Sequence, residues 1–295
     1  VMDNASALPG YLSLTSTFDV ASGSEVKYNF LTIFSTAAWG LGYFGMPHIL
    51  VRFMAIEDEK KLVLSRRIAS VWVVIAMTAG ILIGIVGLGM TKAGALETLT
   101  GSNSETIIVR IAGIISQHNA LTALIAGIIL AGILAATMST ADSQMLAAAS
   151  GVSQNIVHDF LKIKISEKTN LLIARLTIVG IAIVSIFLAR NPNSSVFKIV
   201  SFAWAGFGGA FGAIVLCSLF WKRCNLAGAI AGIISGGATV FIWKYLIRPL
   251  GGILDIYELL PAFIVSLIFI IVVSLLTKAP DEEIVREFEA ASQKA

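Results

Sequence analysis

Apolar residues in this chain gather into long unbroken runs, without the alternation expected of half-buried strands or surface helices. Seven runs approach the ~20 residues that a helix needs to cross the hydrocarbon core of a bilayer. They predict spans over residues 31–51, 68–90, 121–147, 171–189, 196–221, 226–246 and 259–276. Polar stretches separate them. Residues 91–119 predict a short surface helix, residues 152–170 an amphipathic interfacial segment, and residues 278–295 a solvated, helix-prone tail. The expected organisation is all-α: a transmembrane region over residues 1–277 and a tail over residues 278–295.

Composition agrees with the pattern. The chain is 57% hydrophobic and 13% charged, against roughly 25% charged in a soluble domain. Its mean hydropathy is +0.87. Lys and Arg number 21, and if the first span runs from outside to inside, 14 of them fall in the inner loops and tail. The positive-inside rule then places the C-terminus in the cytoplasm. The opening residues carry no basic region ahead of an apolar core, so they read as a polar loop entered partway. The expectation is a C-terminal portion of a longer protein.

Several function classes drop out. No basic, aromatic-rich cluster points to nucleic acid. His48, His118 and His158 are scattered, and Cys217 and Cys224 form no disulfide framework. Neither an H-E-x-x-H nor a G-x-S-x-G motif occurs. An enzyme is not expected. The spans also lack the continuous polar lining of a channel.

Two places carry candidate chemistry. Residues 39–55, WGLGYFGMPHILVRFMA, contain Gly40, Gly42 and Gly45 in G-x-G-x-x-G spacing. A dinucleotide site would need a strand before the glycines and a helix after them, whereas these lie inside an apolar run and are followed by Pro47. Close helix packing explains them, and so does an interrupted helix around a cavity. Trp39 and Tyr43, four apart, share a face wherever the chain is helical. The second place is ILAATMSTADSQ, residues 133–144. Ser139 and Thr140 could bond back to their own helix or offer hard oxygen donors to an alkali cation. Asp142 reads as the one acidic residue in or near the interior of the spans. A third stretch, VSFAWAGFGGAFG at residues 200–212, holds Gly208 and Gly212 in G-x-x-x-G spacing, which predicts packing or a hinge.

These three stretches, in this order and at this spacing, closely resemble the sodium:solute symporter family, and within it the carriers of proline. The resemblance covers essentially the whole chain. It implies the second half of a LeuT-like transporter of two inverted repeats: seven transmembrane helices, with the first repeat and a leading helix missing. It implies sodium-coupled uptake of L-proline across the cell membrane, by a protein that needs its missing N-terminal half. Carried onto this chain, it puts substrate contacts at Trp39, Tyr43 and Pro47, and a sodium ion at the Ala136 carbonyl, Ser139 and Thr140. Met46 stands where some relatives carry glutamine, which keeps a symporter for another small solute open. A membrane sensor module is the other alternative.

Overall fold

The computed structural model describes residues 8–19, 22–163, 166–190 and 195–292. Lys164 and Lys294, counted above among the inner charges, lie outside the described residues. Among the described residues the regular structure is helical apart from one hairpin, in which β1 (Ser16–Asp19) pairs antiparallel with β2 (Ser24–Lys27). Its contacts divide the chain into two compact units, one of residues 57–196 and the other of residues 8–56 with 197–292.

The first unit contains α4 (Lys61–Lys92), α5 (Ile107–Ser116), α6 (Ala120–Ser150) and α7 (Glu167–Leu188). A wider π-helical stretch prolongs α6 to Phe160, so the predicted interfacial segment begins as helix. α5, after a 3-10 turn at Gly101–Thr106, is the surface helix expected there. Local side chains set the helix starts. Asn119 and Thr122 cap α6 reciprocally, and Ser166 accepts from the Thr169 amide at the start of α7. Each such cap satisfies an amide that the helix itself leaves open.

The second unit holds the interrupted region in four pieces: α1 (Phe30–Ala37), the single turn α2 (Trp39–Gly42), a 3-10 turn (Tyr43–Gly45) and α3 (Pro47–Met54). It continues with α8 (Val196–Phe207), whose first residue belongs to the first unit, then a π-helical turn (Gly208–Gly212) and α9 (Ala213–Phe220). Then come α10 (Leu226–Ile242), α11 (Leu259–Leu276) and the tail helix α12 (Glu282–Ser292).

Among the described residues, six helices are long and apolar enough to cross a membrane: Lys61–Lys92, Ala120–Phe160, Glu167–Leu188, Val196–Phe220, Leu226–Leu250 and Leu259–Leu276. They match six of the seven predicted spans. The seventh, residues 31–51, is the interrupted region and forms no single long helix.

The two units bury their apolar surface very differently. The most apolar stretch of α11 is 44% buried within the chain, and that of α7 is not buried at all. α10 and α11 pack closely because small residues face each other. A Cβ on Gly228, Gly232 or Gly236 would meet Ser274, Ile270 or the Gly209 carbonyl at 1.9–2.2 Å. Ser266 adds a hydrogen bond, donating to the Gly232 carbonyl at 2.9 Å. At one end of this pair, Asn225 caps α10 through the Gly228 amide and donates to Thr277 Oγ1 at 2.7 Å.

Candidate functional site

The break in the first predicted span has a local cause. Pro47 has no amide hydrogen, and its ring disfavours helical geometry in the residue before it. Met46 is accordingly extended, at φ −87° and ψ 111°, and Pro47 opens α3 as its first residue. The Tyr43 carbonyl, which a continuous helix would pair with residue 47, receives instead one long bond of 3.4 Å from the Met46 amide. The broken-helix expectation therefore holds.

The glycines divide by position. A Cβ on Gly42 would lie 2.0 Å from the Trp204 indole nitrogen, and one on Gly45 would lie 2.3 Å from the Phe207 carbonyl oxygen. On the facing element, a Cβ on Gly208 would meet the Gly42 Cα at 2.7 Å, and one on Gly212 the Leu41 carbonyl at 3.1 Å. Gly40 faces open space. Close packing and interruption thus coexist: the break is seated on the glycine surface of the π-helical turn. The G-x-x-x-G reading of packing holds at Gly208 and Gly212.

Trp39 lies at the centre of an aromatic cluster. Its indole is near-parallel to Trp204, Phe197 and Tyr257, with centroids 5.4, 5.6 and 5.7 Å away. The Trp204 indole N–H donates to the Trp39 carbonyl at 3.0 Å, and Tyr43 meets Trp204 edge-on at 4.7 Å. The indole is thus held among protein rings. Tyr43 is 50% exposed and Pro47 is exposed, so these two, with Phe44 between them, present the accessible surface of the break. Met46, at 4% exposure, points into the protein.

Sequence reasoning missed Phe197, Trp204, Tyr257 and Glu258. Phe197, Ser201 and Trp204 do repeat at i, i+4 and i+7, which places them on one helix face, but nothing in that spacing names Trp39 as their partner. Beside Asp142, a second carboxylate stands at the edge of a span, one residue before α11. Asp142 is exposed, whereas Glu258, directly before α11, is 2% exposed. Glu258 keeps its charge company: Arg248 reaches Oε2 at 3.0 Å and Lys244 reaches Oε1 at 3.7 Å. Arg248 also binds Asp255 at 2.8 Å, and the Lys244 ammonium lies 3.6 Å above the Phe202 ring. Burial, then the nearby Glu258 charge, pushes the Tyr257 phenol above its ordinary value. It remains a donor, to the Ser201 carbonyl at 2.7 Å.

Ala136, Ser139 and Thr140 lie in the regular part of α6, three and four residues apart along the helix. All three are exposed within the chain. Thr140 Oγ1 donates to the Ala136 carbonyl at 3.1 Å, the back-bonding geometry, and the Ser139 carbonyl accepts from Ser143 at 3.0 Å. Back-bonding brings together two of the three oxygens expected to face a cation. These residues belong to the first unit and the Trp39 cluster to the second. A cavity of about 590 Å³ lined by Trp221, Asn225, Ile284 and Phe288 sits at the far end of α11 from Tyr257 and is no part of either group.

An interrupted helix seated on glycines, together with six helices long and apolar enough to cross a bilayer, defines a multi-pass α-helical membrane protein. The model of the sodium:solute symporter family matches residues 7–236, and the chain belongs to that family. It is 39% identical over 264 residues to a sodium/proline symporter of Haemophilus influenzae, covering 89% of this chain and 51% of that protein. It is 40% identical over 270 residues to the osmoregulated proline transporter OpuE of Bacillus subtilis, covering 92% and 52%. With a sodium/proline symporter of Escherichia coli it shares 39% identity over 264 residues, covering 89% and 51%. The chain therefore spans about half the length of the curated relatives it matches. No solved structure gives a significant match.

Proposed function

We propose that this chain supplies the C-terminal half of a sodium-coupled carrier of L-proline in the cell membrane. The observation that carries the reading is the break at Met46–Pro47. It frees backbone groups beside Trp39 and Tyr43, and such breaks persist in a membrane only where protein or a cavity satisfies them. The names of the relatives supply the solute and the ion. Burial of Met46 keeps off the accessible surface the side chain that departs from glutamine-bearing relatives. In this reading residues 1–277 are the transmembrane part, the interrupted region is the seventh crossing, and residues 278–295 are a cytoplasmic tail.

Sodium is held by the Ala136 carbonyl, Ser139 and Thr140, together with ligands from the other half of the protein. Proline sits against the break, within reach of Tyr43 and Pro47 and next to the ring wall around Trp39. Coupling requires only that each ligand raise the affinity of the other, and that effect is reciprocal. The sparse burial of α4, α6 and α7 fits helices that meet lipid and the other half.

The test is reconstitution into liposomes. The full-length protein takes up labelled proline when sodium is high outside, and the 295-residue chain alone does not. Trp39→Ala raises half-saturating proline more than Tyr43→Phe does, and both raise it more than they raise half-saturating sodium. Sodium-driven uptake by the chain alone, or wild-type proline affinity in both variants, refutes the reading.

A further inference from the structure

We propose that Tyr257 is a positioning residue for the candidate substrate site, holding the Trp39 indole at the break; the substrate part of this inference rests on the reading above. Tyr257 acts at two points at once. Its ring is stacked on Trp39 at 5.7 Å, and its hydroxyl donates to the Ser201 carbonyl at 2.7 Å. Ser201 lies on the α8 face that carries Phe197 and Trp204, the other two rings stacked on Trp39. Tyr257 therefore closes a ring of contacts: α8 to Trp39 through Phe197 and Trp204, Trp39 to Tyr257 by stacking, and Tyr257 back to α8 through Ser201. Without it, one wall of the indole is open and Trp39 regains rotamer freedom.

The next residue fixes where Tyr257 stands. Glu258 is buried and held by Lys244 and Arg248, both from the end of the preceding helical segment. Lys244 is itself placed over the Phe202 ring, beside Ser201 on α8. The connection before α11 is therefore tied by charge to the preceding segment, whose Lys244 in turn rests on α8, and it presents Tyr257 to Trp39 at a defined height. The connection from α10 to α11 thus takes part in shaping a site on a segment about 200 residues earlier in the chain.

The experiment labels the chain with 5-fluorotryptophan and reads ¹⁹F NMR in nanodiscs. The chain has five tryptophans, and Trp39→Phe identifies the Trp39 signal, with Trp72 of the first unit as an internal control. Tyr257→Ala is expected to shift and broaden the Trp39 signal and leave Trp72 in place, while Tyr257→Phe keeps it near wild type. In the full-length protein, Tyr257→Ala raises half-saturating proline about three- to tenfold, the worth of one aromatic contact, with the maximal rate changed less. Tyr257→Leu, which fills the volume without a ring, replaces Tyr257→Ala if that variant does not fold. An unmoved Trp39 signal overturns the proposal, and so does a moved signal with unchanged proline affinity. If wild-type full-length protein binds no labelled proline, the proposed function fails, and the Trp39 signal alone decides whether Tyr257 positions the indole.

Discussion

Replacing Gly45 by alanine tests whether the break is seated on the π-helical turn as described. The added Cβ would lie 2.3 Å from the Phe207 carbonyl oxygen, 2.8 Å from its carbonyl carbon and 2.9 Å from the Gly208 Cα. All three are backbone atoms, so no side chain can rotate away. Ordinary contact begins at 3.4 Å, and the two segments must part by about 1 Å, which also strains the Gly42–Trp204 contact next to it. Overpacking of this kind costs about 1–3 kcal/mol, occasionally more. Gly40 is the control. A Cβ there meets nothing within 4 Å, and alanine is favoured over glycine in a helix by about 1 kcal/mol. The expected difference between the two variants is about 2–4 kcal/mol. Thermal unfolding of the purified 295-residue chain in detergent, followed by tryptophan fluorescence, reads it. Gly45→Ala unfolds several degrees below wild type, and Gly40→Ala at or above it. Equal behaviour of the two variants would show that the segment is not packed against α8 in this way.

Three further outcomes follow from the same structure. In the full-length protein, Ser139→Ala and Thr140→Ala each raise half-saturating sodium by roughly ten- to hundredfold, the loss of a contact to a charge at about 1.5–3 kcal/mol. Thermal unfolding of the 295-residue chain changes little in either variant, because both residues are exposed; unchanged sodium dependence would reduce them to back-bonding groups. Glu258→Ala removes the buried partner of Lys244 and Arg248 while Arg248 keeps Asp255, and it destabilises the second unit by about 1.5–3 kcal/mol, more than Glu258→Gln does; unfolding of the two variants in the same assay checks the order. Tyr257 holds its proton more tightly folded than unfolded, so its contribution to stability is constant below the ordinary phenol value of 10.0 and declines as pH rises past it. Absorbance titration at 295 nm should therefore show wild type and Tyr257→Phe rising equally around the ordinary phenol value of 10.0; a smaller rise in the variant there would refute the shift.

The membrane character and six of the crossings follow from the sequence because hydrocarbon imposes a demand on composition and length that no tertiary contact can relax. Long apolar runs such as residues 259–276 are therefore legible one at a time, and α11 has those bounds. The break at Met46–Pro47 is legible for the same kind of reason, since a missing amide and a ring clash act within a few residues. The glycines were legible only in part. Gly40, Gly42 and Gly45 look alike in sequence, and what distinguishes them is what stands where a Cβ would be: nothing at Gly40, the Trp204 indole at Gly42 and the Phe207 backbone at Gly45. The ring wall around Trp39 was not legible at all. It joins residues 39, 197, 204 and 257 across more than 200 positions, and helical periodicity carries no information about partners at that separation. Glu258 shows the same limit. A carboxylate at the edge of an apolar run is ordinarily solvated, and only the approach of Lys244 and Arg248 from the preceding segment makes its burial tolerable. Composition and local stereochemistry decided that this chain crosses a membrane and where its first apolar run breaks; the packing of distant helices decided what that break faces.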